Sequence, residues 1–316
     1  MKSSPRGSVL LTSLLVVAIA SILASAVTWK SYSSIIRAEA QQDVAQARWI
    51  LKAAIDYSRW ILIADSNGLQ GQSVQIDHLQ EPWAQKIPYN KLDKLFTSKL
   101  NEADQKFFSL AGLTGQIKDE QSKFNLARIT ENKNSIVAEQ GLKILFNELY
   151  IKNYVFQKFL SLLKKEHTIL LGENLSDSSY LYPLKQRRKS LKKIISLLKL
   201  NSEKERLLAS KLTWLSKPTP ININTASIEV ITATFNESNK EKLINLFQAV
   251  QKFPLRSLNE ISTFYNNKFI SKNLIDVKSD FFNVTGYAHF GKAELGFNAL
   301  LHRNGFETQV IDLEII

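Results

Sequence analysis

Between Gly7 and Trp29 the chain carries no charged residue. The apolar run Val9 to Trp29 is about as long as a membrane-spanning helix needs to be. Lys2 and Arg6 precede it, and Trp29-Lys30 closes it. Basic residues on that side leave the leader in the cytoplasm and the bulk of the chain outside it, with Trp29 at the far interface. Three readings fit this segment. One is a cleaved signal peptide with Ala24-Ser25-Ala26 as its small-residue site. The second is a plain signal anchor. The third is a short basic leader, residues 1–7, cut after Gly7 so that Ser8 opens the mature chain and the apolar helix is kept.

The residues after Trp29 favour a helix that does not stop there. No Pro or Gly occurs between Trp29 and Gly68. Ala40, Val44, Ala47, Leu51, Ala54, Ser58 and Leu62 recur at a helical period. Trp49, Ile50, Ile55, Trp60 and Ile61 widen that stripe, and Asn67-Gly68 is a stop signal. The expectation is one helix from Ser8 to Asp65, about 85 Å long at 1.5 Å per residue. Its first half is apolar all round, and its second half is amphipathic. A membrane anchor followed by a separate amphipathic helix fits the same pattern.

The 316 residues allow roughly two domains. At 44% apolar and 22% charged the chain can bury a core. It has no cysteine, which excludes disulfide scaffolds, thiolate metal sites and cysteine nucleophiles. The net charge is +12, and residues 151–217 supply most of it, with 15 Lys/Arg against 5 Asp/Glu. Such a balance raises nucleic acid, acidic lipid or an acidic partner. Lys185, Arg187, Arg188, Lys189, Lys192 and Lys193 form the densest cluster, read as a solvated helix face.

Gly68, Gly71, Pro82, Pro88, Gly112 and Gly115 mark turns between short segments up to residue 126. From Ile136 to Lys217 the period is helical. Thr225 to Phe235 reads as a helix capped by Asn224 or Thr225. Ser257-Leu258-Asn259-Glu260 reads as a capping box before another. Phe282–His289, Glu294–His302 and Thr308–Ile315 read as three strands of an antiparallel meander. A helical block between β pieces points to an insertion into an α+β domain.

Three stretches, in this order, resemble the minor pseudopilin K family of type II secretion systems. The first is Arg6-Gly7-Ser8-Val9-Leu10-Leu11-Thr12. The second is Gly115-Gln116-Ile117-Lys118-Asp119-Glu120-Gln121-Ser122-Lys123-Phe124-Asn125-Leu126, with Asp77-His78-Leu79-Gln80-Glu81-Pro82-Trp83-Ala84 upstream. The third is Ile221-Asn222-Ile223-Asn224-Thr225-Ala226. The resemblance covers nearly the whole chain. It implies a pilin-like long N-terminal helix packed on a small antiparallel sheet, with a large inserted all-helical domain. In that scheme 8–29 is the transmembrane part of the stalk, 30–126 and 281–316 build the sheet, and 127–280 is the insertion. The implied role is the tip subunit of a periplasmic pseudopilus. Its partners would be minor pseudopilins I and J, pseudopilin H, the major pseudopilin, a prepilin peptidase acting at Gly7 and Ser8, and the inner-membrane secretion platform.

Thr12 fits the tip position. Counting Ser8 as one, it is position five, where most pilins carry Glu. That carboxylate neutralises the terminal amine of the adjacent subunit inside an apolar fibre, where an unpaired charge is costly. A subunit with nothing above it has no amine to pair.

Two features depart from the family. Ser8 stands where most pilins have Phe. The insertion, in which the family often holds Asp-rich calcium loops, is basic here, with Glu173 and Asp177 too few for a calcium cage.

Other chemistries find little support. Ile221 to Ser227 and Ser257 to Glu260 resemble the two halves of a helix-hairpin-helix DNA-binding module. The hairpin would fall at Asn236–Lys240, which lacks the glycines whose amides bind phosphate. His78, His167, His289 and His302 form no metalloprotease pair, and there is no phosphate-binding loop or nucleophile elbow. His78 beside Asp77 and Glu81 reads as a turn with ordinary polar contacts. Asp119 and Glu120, on opposite faces of a strand, read as loop anchors and not as a carboxylate pair. The expectation is a protein that acts by assembly, not by chemistry.

Overall fold

The computed structural model describes residues 6–66, 75–91, 101–131, 135–173, 182–237, 241–261, 273–305 and 307–316. The fold is α+β, and one long helix leads into it. α1 runs unbroken from Arg6 to Ser66, about 90 Å at 1.5 Å per residue. It ends where the sequence expectation put it; Gly68, Gly71 and their turn lie outside the described residues.

Five antiparallel strands form the main sheet. They are β1 (Ile87–Lys91), β2 (Ala111–Asp119), β7 (Phe281–Phe290), β8 (Ala293–Asn304) and β9 (Glu307–Ile315), side by side in the order β1-β2-β7-β8-β9. The three C-terminal strands are the expected meander. β2 pairs with β7 from Ala111↔Phe290 to Asp119↔Phe282, so a strand near the front of the chain is closed by one near its end. Between them come α3 (Ala127–Thr130), α4 (Ser135–Glu148), α5 (Asn153–Glu173), α6 (Tyr182–Leu197), α7 (Ser202–Lys211), α8 (Ile228–Phe235) and α9 (Glu241–Lys252). α2 (Glu102–Ser109) precedes β2. Two small parallel pairs stitch this region together: β3 (Phe124–Asn125) with β4 (Leu212–Thr213), and β5 (Ile221–Asn222) with β6 (Ile275–Asp276).

The sheet has a helix-bearing layer on each face, and its strands alternate accordingly. On one face, Phe282, Val284, Phe297, Ala299 and Leu301 pack with Leu51, Ala54, Ile55 and Leu62 of α1. Burying a leucine such as Leu51 or Leu62 contributes about 1.5–3 kcal/mol. On the other face, Phe281 and Leu300 meet Leu184 of α6 and Leu215. The helices have their own core, in which Leu142, Phe146, Phe159 and Ile194 are fully buried.

Where α1 begins to dock is set by Asp43. Its carboxylate accepts a 3.0 Å hydrogen bond from Lys292 N in the β7–β8 turn. That turn needs Gly291, whose φ is +57° and where a Cβ would collide with Asp43. N-terminal to this point the helix is almost wholly exposed, Ala40 included.

Several local expectations are corrected. Trp49 and Trp60 do not widen the buried stripe: they are 65% and 59% exposed. They stand roughly 200° round the helix from Leu51 and Leu62. The central helical stretch ends at Lys211, and Leu212–Thr213 turns into a strand. α8 begins at Ile228 with Ser227 as its N-cap, because Asn224 and Thr225 are engaged elsewhere. Ser257 makes no side-chain cap, and Glu260 instead accepts from Arg256 N at 3.1 Å. Leu258–Glu260 forms a 3-10 turn, and the helix expected beyond it falls largely outside the described residues.

Candidate functional site: an assembly stalk and a buried polar joint

Gly7 and Ser8 lie in the first turn of α1. From Val9 to Trp29 every hydroxyl closes on its own helix. Thr12 Oγ1 donates to Val9 O at 2.9 Å, Ser13 to Leu10 O, Ser21 to Val17 O, Ser25 to Ser21 O and Thr28 to Ala24 O. A segment that satisfies its polar atoms internally can sit in lipid or among other apolar helices. None of its most apolar window is buried in the molecule, and it is long and apolar enough to cross a membrane. The helix continues through Ala24-Ser25-Ala26 without a break.

The second feature is a joint where the stretches from 77, 115 and 221 converge. Asp119, at the end of β2, is fully enclosed. Its Oδ2 accepts from Thr225 Oγ1 at 2.5 Å, Ser279 Oγ at 2.6 Å and Asn222 Nδ2 at 3.1 Å. Its Oδ1 accepts from Gln121 N at 2.7 Å. Asn222 also donates to Asp77 O and Ser279 Oγ. Asp77 is itself completely buried. It receives Ser279 N at 2.7 Å and Arg303 Nη2 at 2.6 Å on each carboxylate oxygen. Arg303, only 2% exposed, further donates to Ser279 O and Leu62 O. Nearby, Asn125 ties Lys217 O, Leu215 N and Ala127 N together, and Asn224 holds both backbone groups of Leu255. Asp119 is a loop anchor as expected. Arg303 and Ser279 are members that the sequence did not single out; an Arg just beyond the apolar run Ala299-Leu300-Leu301 was the one available signal.

Burial pushes the Asp119 carboxyl up to about 6, with the Ser279 and Thr225 hydroxyls opposing. Burial also raises Asp77 against the pull of Arg303, and raises Asp65 to about 6. Glu81 is pushed up to about 8, again chiefly by burial, although His78 N and Trp83 Nε1 donate to it. Burial lowers His78, which sits 3.5 Å from Glu81. So His78, Asp77 and Glu81 do make a turn with polar contacts, and those contacts are desolvated.

Asp65, Asp77 and Glu81 are the one set among the described residues close enough to share a metal ion. They do not fit the calcium that the sequence resemblance raised. Calcium takes six to eight oxygens, whereas here Arg303 already supplies the positive charge to Asp77, and both other carboxyls are shifted toward their neutral forms. Asp177 lies outside the described residues.

The basic cluster on α6 is not simply solvated. Arg187 is buried, donates to Leu215 O and Glu131, and lies over the Trp214 ring. Arg188 donates to Asp312, Asn283 and Asn298 at 2.8–3.0 Å, clamping α6 to three strands. Lys192 meets Glu314 and Lys193 meets Glu166. Lys185 and Lys189 remain exposed.

Among the described residues, the hairpin region adds no phosphate site. α8 ends on Asn236, whose φ of +53° supplies the left-handed turn that a glycine would give. Residues 238–240 lie outside the described residues. The four histidines are dispersed, on the 77–81 loop, α5, β7 and β8.

A long helix, apolar in its first half, leading into an antiparallel sheet, with a helical block between strands of that sheet, defines a pilin-like α+β fold. No family model and no curated protein matches the chain. A chain of the crystal structure of the GspK-GspI-GspJ complex from the enterotoxigenic Escherichia coli Type 2 Secretion System has a similar fold. The TM-score is 0.55 at 17% identity, over 89% of this chain and 99% of that one.

Proposed function

We propose that this protein is a minor pseudopilin occupying the tip of a type II secretion pseudopilus. The observation that carries the reading is the single unbroken helix whose first half is apolar, internally satisfied and uncovered, while its second half forms the back wall of a sheet. The likeness to a chain of the GspK-GspI-GspJ structure supports it. In this reading residues 1–7 are a leader that a prepilin peptidase removes between Gly7 and Ser8. Residues 8–29 wait in the inner membrane with the head in the periplasm, then move into the fibre. Residues 30–126 and 281–316 form the pilin-like body, and 127–280 the insertion. Thr12 leaves the tip subunit without the carboxylate that a neighbour's amine would need. Minor pseudopilins I and J are the direct partners, with pseudopilin H and the major pseudopilin further down the fibre. The protein works by nucleating assembly on the secretion platform and not by catalysis.

Mass spectrometry of the mature N-terminus from native membranes tests the reading. A chain beginning at Ser8 with a methylated amine, co-purifying with pseudopilins I and J, is the expected result. A chain beginning after Ala26 would sink it, because the stalk would be gone.

A further inference from the structure

Between α6, α7 and the face of the sheet opposite α1 lies a cavity of about 620 Å³. That is within the size range of small-molecule sites. Its floor is apolar, formed by Leu191, Ile195, Leu212 and Trp214. Its walls carry Lys123, Arg188, Lys192 and Arg206 against Glu120 and Glu205.

These cations are not equivalent. Lys123 is held by Glu120, and Arg188 by Asp312, in well-covered pairs. Lys192 pairs with Glu314 where both side chains are about half exposed, a contact of little energy that an incoming anion can replace. Among the described residues, Arg206 bonds a backbone oxygen alone, Ser202 O, through its Nε. Lys192 on α6 and Arg206 on α7 therefore offer charge from two different helices.

Of the remaining polar groups, Glu205 and the Ser202 hydroxyl can accept, while two asparagines are left as donors. Asn283 and Asn298 spend their carbonyl oxygens on Arg188, so what they can still offer is N–H. An apolar floor flanked by the loosely held Lys192 and Arg206 suits a ligand that is apolar at one end and anionic at the other.

We propose that this cavity binds a small amphipathic organic anion. Its apolar body lies on Leu191, Ile195 and Leu212, and its carboxylate or sulfonate sits between Lys192 and Arg206. The inference does not depend on the tip-subunit reading.

The chain has no cysteine, so a Ser202→Cys variant can carry a single bimane fluorophore at the mouth. The full-length protein in non-ionic detergent is titrated with 3-phenylpropionate, then with 3-phenylpropionamide, which keeps the ring but lacks the charge. The amide also controls for partition into micelles. We expect a saturable emission change with the acid, and about tenfold weaker binding of the amide. Arg206→Glu and Ala209→Trp, both at exposed positions of α7, are expected to weaken the acid at least as much while circular dichroism stays unchanged. Equal responses to acid and amide would overturn the proposal. So would an unaltered response in both variants, or no saturation up to about 20 mM, above the millimolar Kd expected of so small a ligand.

Discussion

Arg303 on β8 lies 2.6 Å from both carboxylate oxygens of Asp77, 226 residues earlier in the chain. This pair joins the loop after α1 to the sheet, and both partners are sealed from water. Removing one partner leaves an uncompensated buried charge, which costs about 3–5 kcal/mol. Arg303→Met is therefore expected to lower the urea midpoint sharply. Asp77→Asn in the same background should recover part of the loss, because it removes the stranded charge. A double-mutant cycle by urea denaturation reads both.

Stability should fall as pH rises from about 4.5 to 8. Glu81 titrates near 8 in the fold against 4.5 ordinarily, so across that window the native state holds a proton that the unfolded chain has lost. The unfolded state binds fewer protons, and the slope of stability against pH is negative. Asp65 and Asp119, raised to about 6, add to the fall between about 3.8 and 6. Glu81→Gln keeps an acceptor for Trp83 and His78 N but cannot ionise. It should raise the thermal midpoint at pH 8 and change it little at pH 4.5. A wild-type midpoint that climbs with pH over this range would contradict the assignment.

Gly141 on α4 faces the backbone of α8. A Cβ there would stand 2.3 Å from Ala233 O, a backbone atom that cannot swing aside. Gly141→Ala should cost about 1–3 kcal/mol despite alanine's better helix propensity. Gly172, near the end of α5, has nothing within 4 Å of a Cβ. Gly172→Ala should be neutral or slightly stabilising. Denaturant midpoints of the two variants should move in opposite senses or differ clearly in size.

Arg188→Ala removes the clamp from α6 to Asn283, Asn298 and Asp312. It also leaves the Asp312 carboxylate, of which Oδ1 already lacks a partner, without its cation. The expected loss is about 2–4 kcal/mol. Amide exchange should accelerate in α6 and β9 and not in α4 or α8. Uniform acceleration across the chain would refute a local clamp.

Thr12→Glu places a carboxylate in the apolar half of α1. On the tip reading it should leave processing at Gly7 intact and reduce assembly, scored as the yield of pseudopili in cells. Equal pseudopilus yield would remove the argument for position five.

How much of this was legible in the sequence depended on the range of the interaction. The extent of α1 and the three C-terminal strands could be read because their periods are local. The face of α1 that the head covers could be read as well, from Ala47, Leu51, Ala54, Ser58 and Leu62, but the width of that face could not. Trp49 and Trp60 are as apolar as Leu51, and only the position of the sheet decides that they stay outside. The basic cluster misled in part, for a related reason. Arg187 and Arg188 are drawn in by Glu131 and Asp312, whereas Lys185, Lys189, Lys192 and Lys193 stay on a solvated face as read. Asn224 and Thr225 looked like helix caps because their side chains suit that task. In the fold they hold Leu255 and Asp119 instead, and the helix starts later, at Ile228. Arg303 went unnoticed because nothing near it in sequence announces an ion pair.

The pairing of β2 with β7 sets an order on biosynthesis. The sheet that receives Leu51, Ala54 and Leu62 cannot close until residues 281–301 have left the ribosome, more than two hundred residues after α1. The helices can collapse on their own core meanwhile, since their contacts are nearer in sequence. During that interval the inner face of α1 has no cover, and a chain that stops before β7 leaves it sticky for good. A nonsense lesion late in the reading frame would thus yield a folded helical block on an unsheathed anchor, a product for proteases and not a shortened but working subunit.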